Sequence, residues 1–396
     1  MTSNHIGPRI EAIAGEIEPA LIDIRRDLHA HPELAHEEVR TSGVVARELA
    51  RIGVPHRTKI GGTGVMATID TGRPGPTVLL RADMDALPIQ EQTGLPYAST
   101  VPGKMHACGH DLHTATLIGV AEVLQRIAPD LSGRIELMFQ PAEEVSDSGA
   151  ARMMQDGALE GVDLALGFHN YPGEPVGSFS FVPGVAGGSS DEFTITVSGR
   201  SGHAARPHLT ADPIVGAATL ILQLQTIVSR EMDPMRPIVL TLGVIEGGLA
   251  PNIIPDAVRL QGTVRTHLEA DRVAMEAAIR RHCEGVSTSL RLECRLDWER
   301  GTPPLVSDER VMRATMRAVE HHFGREALLE ASPSLGAEDF ALIGEKVPAF
   351  QLGIGSMTPG RRDELHNSDY QPDERAIRNG VVALSLAACE LLSPSV

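Results

Sequence analysis

Thr77-Val78-Leu79-Leu80-Arg81-Ala82-Asp83-Met84-Asp85 (residues 77–85) is a short apolar run that passes directly into charge. Its first four residues read as a buried strand. Arg81, Asp83 and Asp85 then lie at the carboxyl end of that strand, where open α/β sheets bind ligands. Capping of a helix by Asp83 or Asp85 explains the same residues equally well. The pattern repeats downstream. Arg134–Phe139 is a strand that delivers Gln140-Pro141-Ala142-Glu143-Glu144, and Leu164–Phe168 delivers His169-Asn170. Gly64–Ile69 and Ala349–Gly353 complete the strand set.

Helices fill the intervals. Ile10, Ile13, Ile17, Leu21, Ile24 and Leu28 recur at steps of three and four, an amphipathic stripe in which Pro19 predicts a kink or a restart. Thr41–Arg51, 307–322 and 373–392 are further helices, and Thr114–Ile127 is apolar on most faces and therefore buried. His29 and His31 form an H-x-H pair at a helix end. They point apart, and carbonyls and the helix dipole suit them better than a metal. Strands that alternate with helices and end in polar clusters indicate an α/β fold with a mostly parallel central sheet flanked by helices.

Around residue 187 the character changes. Val185-Ala186-Gly187-Gly188-Ser189-Ser190 reads as a hinge. Strand 192–198, helix 211–230, strands 238–246 and 257–266, helix 269–285 and strand 289–297 follow. This β-α-β-β-α-β order is the ferredoxin-like split-βαβ pattern, a domain of its own. From Gly301 the α/β pattern resumes. The expected organisation is one domain of residues 1–187 and 298–396, with 188–297 inserted in it.

A chain of 396 residues is long enough for two such domains. With 52 acidic against 35 basic side chains, the formal net charge is -17, which disfavours nucleic acid and anionic membranes as partners. No apolar run approaches the ~20 residues needed to span a bilayer. Met1-Thr2-Ser3-Asn4-His5 lacks the basic and apolar segments of a signal peptide. Cys108, Cys283, Cys294 and Cys389 are scattered and indicate no disulfide framework. A cytoplasmic location is expected.

Met105-His106-Ala107-Cys108-Gly109-His110-Asp111 packs two imidazoles, a thiol and a carboxylate into seven residues. Thiolate and imidazole are strong ligands for zinc-like ions, and Gly109 lets the backbone bend so that Cys108 and His110 converge. A buried thiol beside surface histidines is the plain alternative. Glu143-Glu144, His169 and His366 add metal-type groups at three other places. Adjacent glutamates cannot both face one ion comfortably; one can ligate while the other holds a proton-transfer position. A solvated charge pair is the plain alternative for Glu143-Glu144, and His169 by itself reads as a core histidine. As a set they supply five ligands, enough for two ions if one group bridges, and a thiolate has the lone pairs to bridge.

The chain resembles the M20 metallopeptidase family, in the amidohydrolase branch that holds hippurate hydrolases, N-acyl-amino-acid amidohydrolases and indole-acetyl-amino-acid hydrolases. The resemblance rests on Arg25-Arg26-Asp27-Leu28-His29, Arg81-Ala82-Asp83-Met84-Asp85-Ala86-Leu87-Pro88, the 105–111 stretch and Gln140-Pro141-Ala142-Glu143-Glu144. It continues through Gly202-His203-Ala204-Ala205, Ala250-Pro251-Asn252-Ile253-Ile254-Pro255 and Ala337-Glu338-Asp339-Phe340. These motifs span nearly the whole chain. The resemblance implies that Cys108 bridges two divalent ions, His110 and His169 completing one and Glu144 and His366 the other. Glu143 is implied as general base and acid. His203 is implied to reach the partner subunit's site and hold the oxyanion, although by itself it reads as a turn histidine on a solvated loop. Asn252 and Arg265 match positions that grip the substrate's carboxylate; a surface charge is the other reading of Arg265. Other branches carry a histidine where Arg81 stands and bridge with aspartate, so Asp83 is left without a role.

This chain departs from the family's pattern in Val145-Ser146-Asp147-Ser148-Gly149 and in Asn367-Ser368-Asp369-Tyr370, both bordering the site. The implied activity is hydrolysis of the amide of an N-acyl amino acid to a carboxylic acid and a free amino acid. Zinc or manganese is the implied ion, with cobalt or nickel able to support the same chemistry. The outer domain would be catalytic and the inserted one a lid and dimerisation domain, giving a homodimer or a higher oligomer. A dipeptidase or an N-acetyl-diaminopimelate-type deacetylase is the rival enzyme, and a non-catalytic metal-containing binding protein the remote one.

Overall fold

The computed structural model describes residues 6–393, so Met1–His5, which entered the reading of location, lie outside the described residues. Contacts divide the chain into two units. The first holds the chain up to Gly184, Val306–Ser332 and the chain from Leu342 on; the second holds Val185–Leu305 and Pro333–Ala341. The sequence pattern places the boundaries at 188 and 297 and does not mark Pro333–Ala341. That segment is tied to the second unit by backbone bonds, Ser334 N to Ala186 O at 2.9 Å and Gly188 N to Gly336 O at 2.9 Å. Such bonds leave no periodic trace in sequence.

The strands in chain order are β1 (His56–Ile60), β2 (Gly64–Asp70), β3 (Thr77–Asp83), β4 (Arg134–Gln140), β5 (Leu164–Pro175), β6 (Phe179–Phe181) and β7 (Gly184–Gly187). There follow β8 (Asp191–Ser198), β9 (Gly202–His203), β10 (Ile238–Gly247), β11 (Ile253–Ile254), β12 (Ala257–Thr266) and β13 (Glu293–Arg300). The last are β14 (Leu305–Ser307), β15 (Leu328–Glu330) and β16 (Ala349–Met357). The helices are α1 (Ile6–Ala30), α2 (Val39–Ile52), α3 (His110–Ile127), α4 (Gly149–Gln155), α5 (Pro213–Thr226), α6 (Glu269–Leu290), α7 (Glu309–Phe323), α8 (Phe340–Gly344) and α9 (Arg375–Leu391).

In the first unit one eight-stranded sheet runs β1-β2-β4-β3-β5-β16-β6-β15. Its middle, β4-β3-β5-β16, is parallel, and the β1-β2 hairpin adds antiparallel to β4. Strands covered on both faces must be apolar along their length, and β3 and β4 are buried at every position after the first. Asp83 pairs with Gln140, and His169 with Gly353, so polar groups from neighbouring strands gather at one end of the sheet. The aliphatic core includes Ile10, Leu21, Leu49, Leu80, Leu117 and Leu384.

Three local readings change. Pro19 neither stops nor restarts α1, which is continuous from Ile6 to Ala30; the proline is exposed, and water can serve the carbonyl that loses its partner. β5 does not end at Phe168. It continues because β16 pairs alongside through His169, Asn170 and Tyr171, so these residues stand inside a strand. The third is α3, which starts at His110, four residues before the apolar stretch, because Gly109 takes a left-handed φ of 86° and turns the chain into it. A side chain at Gly109 would also run into Asn170 and Tyr370.

The second unit is a four-stranded antiparallel sheet, β10-β12-β8-β13, packed by α5 and α6. β8 alternates buried positions with half-buried or exposed ones, as a sheet with one covered face requires. α6 runs to Leu290, five residues beyond the sequence expectation, because Ile279, Cys283 and Val286 keep its buried stripe in phase; β13 therefore starts at Glu293. A buried pair, Arg272 Nη2 to Asp191 Oδ1 at 2.6 Å, ties α6 to β8. Among the described residues no helix is long and apolar enough to cross a membrane.

Candidate metal centre

The site grows from the turn into α3. Cys108 ends the loop before it, Gly109 makes the left-handed bend, and His110 opens the helix. His110 Nδ1 donates to Asp85 Oδ1 at 3.1 Å, which turns Nε2 inward. His169, from β5, donates from Nδ1 to Asn170 O at 2.7 Å, and its Nε2 lies 3.4 Å from Cys108 Sγ. Glu143 and Glu144 leave the end of β4 after Ala142, an alanine held at a left-handed φ of 51°. Glu144 N donates to Asp85 Oδ2 at 3.0 Å, so one aspartate fixes both His110 and Glu144. His366, with a φ of 65°, donates its N–H to Ala107 O at 2.9 Å and brings Nε2 within 3.1 Å of Glu144 Oε1. Non-glycine residues in this region are strained; one of these two is the candidate ligand His366, and the other directly precedes Glu143.

The structure brings together five of the residues singled out from sequence. The ligand atoms of Cys108, His110 and His169 lie within 4.8 Å of one another, as do those of Cys108, Glu144 and His366. Cys108 is common to both groups. Glu143 Oε2 stands 4.0 Å from His110 Nε2, beside the cluster.

A layer of buried groups backs these ligands. Asp83 accepts from Arg81 Nη1 and from His113 Nδ1, both at 2.6 Å. His113 Nε2 accepts from Asn170 N at 3.0 Å and Nδ2 at 2.9 Å, and Nδ2 also donates to Cys108 O at 2.8 Å. Asn170 Oδ1 accepts from Ser356 Oγ at 3.0 Å and from the Tyr370 hydroxyl. Thus Asp83 orients His113, and Asp85 orients ligands. From sequence Asp83 and Asp85 read only as strand-end or capping groups and Asn170 only as a polar strand-end residue, while His113 is not singled out. The signal for His113 is its spacing: it sits three residues after His110, on the same helical face, and stacks on it with ring centroids 5.4 Å apart.

His29 and His31 stay out of the cluster. His29 donates to Asp111 at 2.9 Å and Glu91 at 3.2 Å, and His31 Nδ1 donates to Asp27 O at 2.8 Å. Asp111 pairs with the buried Arg25 at 2.8 Å. His106 is buried beneath the loop, and that burial lowers its pKa to about 4.

The electrostatics describe a place short of positive charge. Burial, then the charges of Glu144, Glu143 and Asp83, push the Cys108 thiol well above its usual range. Burial alone would lower His110, but Asp83 and the bond to Asp85 outweigh it and hold its pKa at about 10. His110 Nε2 is a buried nitrogen with no hydrogen-bond partner among the described residues. A convergent set of thiol, imidazole and carboxylate, with imidazoles anchored through Nδ1 to carboxylate and carbonyl, fits a divalent metal.

His203, Asn252 and Arg265 lie in the second unit. β9 and β11 form a two-stranded ribbon in which His203 pairs with Ile253, and Ala204 N donates to Asn252 O at 3.2 Å. His203 and Asn252 are exposed neighbours. Ala205 N donates to His203 Nδ1 at 3.1 Å, which leaves the ring proton on Nε2. Arg265 stands near the far end of β12, eight residues past Ala257 and so roughly 26 Å from Ala257 along the strand.

A parallel α/β sheet with this donor set at its strand ends defines a metal-dependent hydrolase. The model of Peptidase family M20/M25/M40 matches residues 79–390, and the chain belongs to that family, in its amidohydrolase branch. The chain is 41% identical over 376 residues to N-acetyl-L-cysteine deacetylase of Bacillus subtilis (strain 168), covering 95% of this chain and 89% of the relative. It is 37% identical over 384 residues to IAA-amino acid hydrolase ILR1-like 2 of Arabidopsis thaliana, covering 95% and 86%. The crystal structure of the Bacillus subtilis YXEP protein, a dinuclear metal binding peptidase from the M20 family, superposes with a TM-score of 0.84 at 34% identity, covering 96% of this chain and 99% of that one.

Proposed function

We propose that this chain hydrolyses the amide bond of N-acyl amino acids, releasing a carboxylic acid and a free amino acid, with two divalent ions held by Cys108, His110, His169, Glu144 and His366. The observation that carries the reading is the shared sulfur: Cys108 belongs to both ligand groups, one with His110 and His169, the other with Glu144 and His366. When bound, such ions would lower the pKa of the attacking water and polarise the amide carbonyl. Zinc, manganese, cobalt and nickel all tolerate such a donor set, and the thiolate favours zinc.

The chain's own residues supply the proton chemistry. Glu143 stands beside the ligands, 4.0 Å from His110 Nε2, where its carboxylate takes the proton of the attacking water and passes it to the leaving amine nitrogen. His203 offers Nε2–H, a donor suited to the developing oxyanion. Asn252 and Arg265 hold the substrate's carboxylate. His203, exposed on its ribbon, serves the partner's site in a homodimer. The exposed edge strand β10, with Ile245, and the exposed Ile214, Val215 and Leu222 of α5 support a pairing surface on the second unit. A reducing, cytoplasmic setting suits a thiol ligand and four free cysteines.

The test is a substrate panel of hippurate, N-acetyl-methionine, N-acetyl-cysteine, N-acetyl-diaminopimelate and Gly-x dipeptides, run with each metal. N-acyl amino acids should turn over and free dipeptides should not. Glu143→Gln should retain metal and lose about 10²–10⁴-fold in kcat. Full activity of that variant, or turnover of dipeptides alone, would overturn the reading.

A further inference from the structure

Glu38 is a fully buried carboxylate that the reaction above does not use. It sits at the N-cap of α2, directly before Val39, where an acidic side chain would ordinarily cap the helix, yet it makes no capping bond. Glu33 does that work, accepting from Arg40 N at 2.9 Å and Thr41 N at 2.8 Å. Glu38 instead reaches away from its own helix. Its Oε1 accepts from Ala142 N at 2.9 Å and its Oε2 from Thr63 Oγ1 at 2.6 Å.

Ala142 is the residue at φ 51° directly before Glu143. An L-residue rarely adopts that conformation unless its surroundings hold it. The bend is what lets two consecutive glutamates leave β4 in different directions, Glu144 toward His366 and Glu143 to the side of the ligand cluster. The same short segment holds the far end of this turn: His36 Nε2 donates to Asp147 O at 2.9 Å. Residues 36 and 38 thus grip the 142–147 turn at both ends, and the buried grip is the one next to Glu143.

We propose that Glu38 is a positioning residue for Glu143, its carboxylate holding the Ala142 N–H so that the turn presents the Glu143 carboxylate to the reacting water. This rests on the amidohydrolase reading, in which Glu143 carries the proton. Glu38→Gln keeps an oxygen for the Ala142 N–H, and Thr63 can accept from its amide nitrogen. Glu38→Ala removes the grip.

The experiment measures kcat, KM, metal content and the kcat pH profile of the metal-loaded enzyme on the best substrate of the panel, with Glu143→Gln alongside. Glu38→Ala should keep its metal, lose about 10–100-fold in kcat with KM within about threefold, and shift the acidic limb of the profile. Glu38→Gln should stay within about threefold of the parent. Wild-type kcat for Glu38→Ala, while Glu143→Gln is inactive, overturns the positioning role. So does a loss of kcat that merely follows loss of metal. Full activity of Glu143→Gln would instead overturn the function on which the inference rests. If Glu38→Ala does not fold, Glu38→Asp, with the charge kept and drawn back by one carbon, decides: a lowered kcat with metal retained supports the role, and an unchanged kcat removes it.

Discussion

The ligand cluster of the first unit and the His203 ribbon of the second are built on opposite terms. Cys108 and His110 are buried, and a web of Asp85, Asn170, Asp83, His113 and Tyr370 sets the ligands' orientation. His203 is exposed on a ribbon of two residue pairs, steadied by its own turn and by pairing with Ile253. Metal ligands must be held in place before the ion arrives, because misplacement of a few tenths of an ångström weakens binding. A donor to a transition-state charge is needed only when substrate is present, and it can come from a surface that closes later.

The sharpest way to break the comparison is at the shared sulfur. Cys108→Ala should release both ions and leave no measurable turnover; two ions per chain in that variant would refute the bridge. Removal of metal with a chelator should give the same loss, reversed on reconstitution. His203→Ala should keep its metal and lose about 10²–10³-fold in kcat. Co-expressed with Glu143→Gln, it should recover about a quarter of parental activity, since half of the random dimers hold one intact composite site. No recovery would place His203 in its own subunit's site. Asp85→Asn should weaken metal binding about 10–100-fold without abolishing it, measured by competition with a chelating dye. The smallest effect belongs to Tyr370→Phe. Loss of its hydroxyl bond to Asn170 should cost about 1 kcal/mol in thermal unfolding and less than about threefold in activity.

Much of this was legible in the chain. Apolar runs ending in Asp83, Gln140 and His169 mark buried parallel strands because burial on both faces leaves polar residues only toward the ends. The 105–111 stretch marks a ligand loop because thiol, imidazole and glycine occur within five residues. Asp85 was ambiguous because an aspartate at a strand end can cap, ligate or orient, and the choice depends on a histidine 25 residues away. Asn170 reads only as a polar strand-end residue, since an amide's role depends on what its two ends meet. Glu38 would be taken for a helix cap, and only the position of Ala142 reveals its other partner.

Sequence by itself determined the element types, the order of the two folds along the chain and which side chains could donate to a metal, because periodicity and side-chain chemistry are local. Tertiary structure decided that Cys108 is shared by two ligand groups. It also decided that Asp85 serves both of them, and that His203 pairs with Ile253. Those are distances between residues far apart in the chain, and distance is set by strand pairing and packing rather than by any pattern a residue carries.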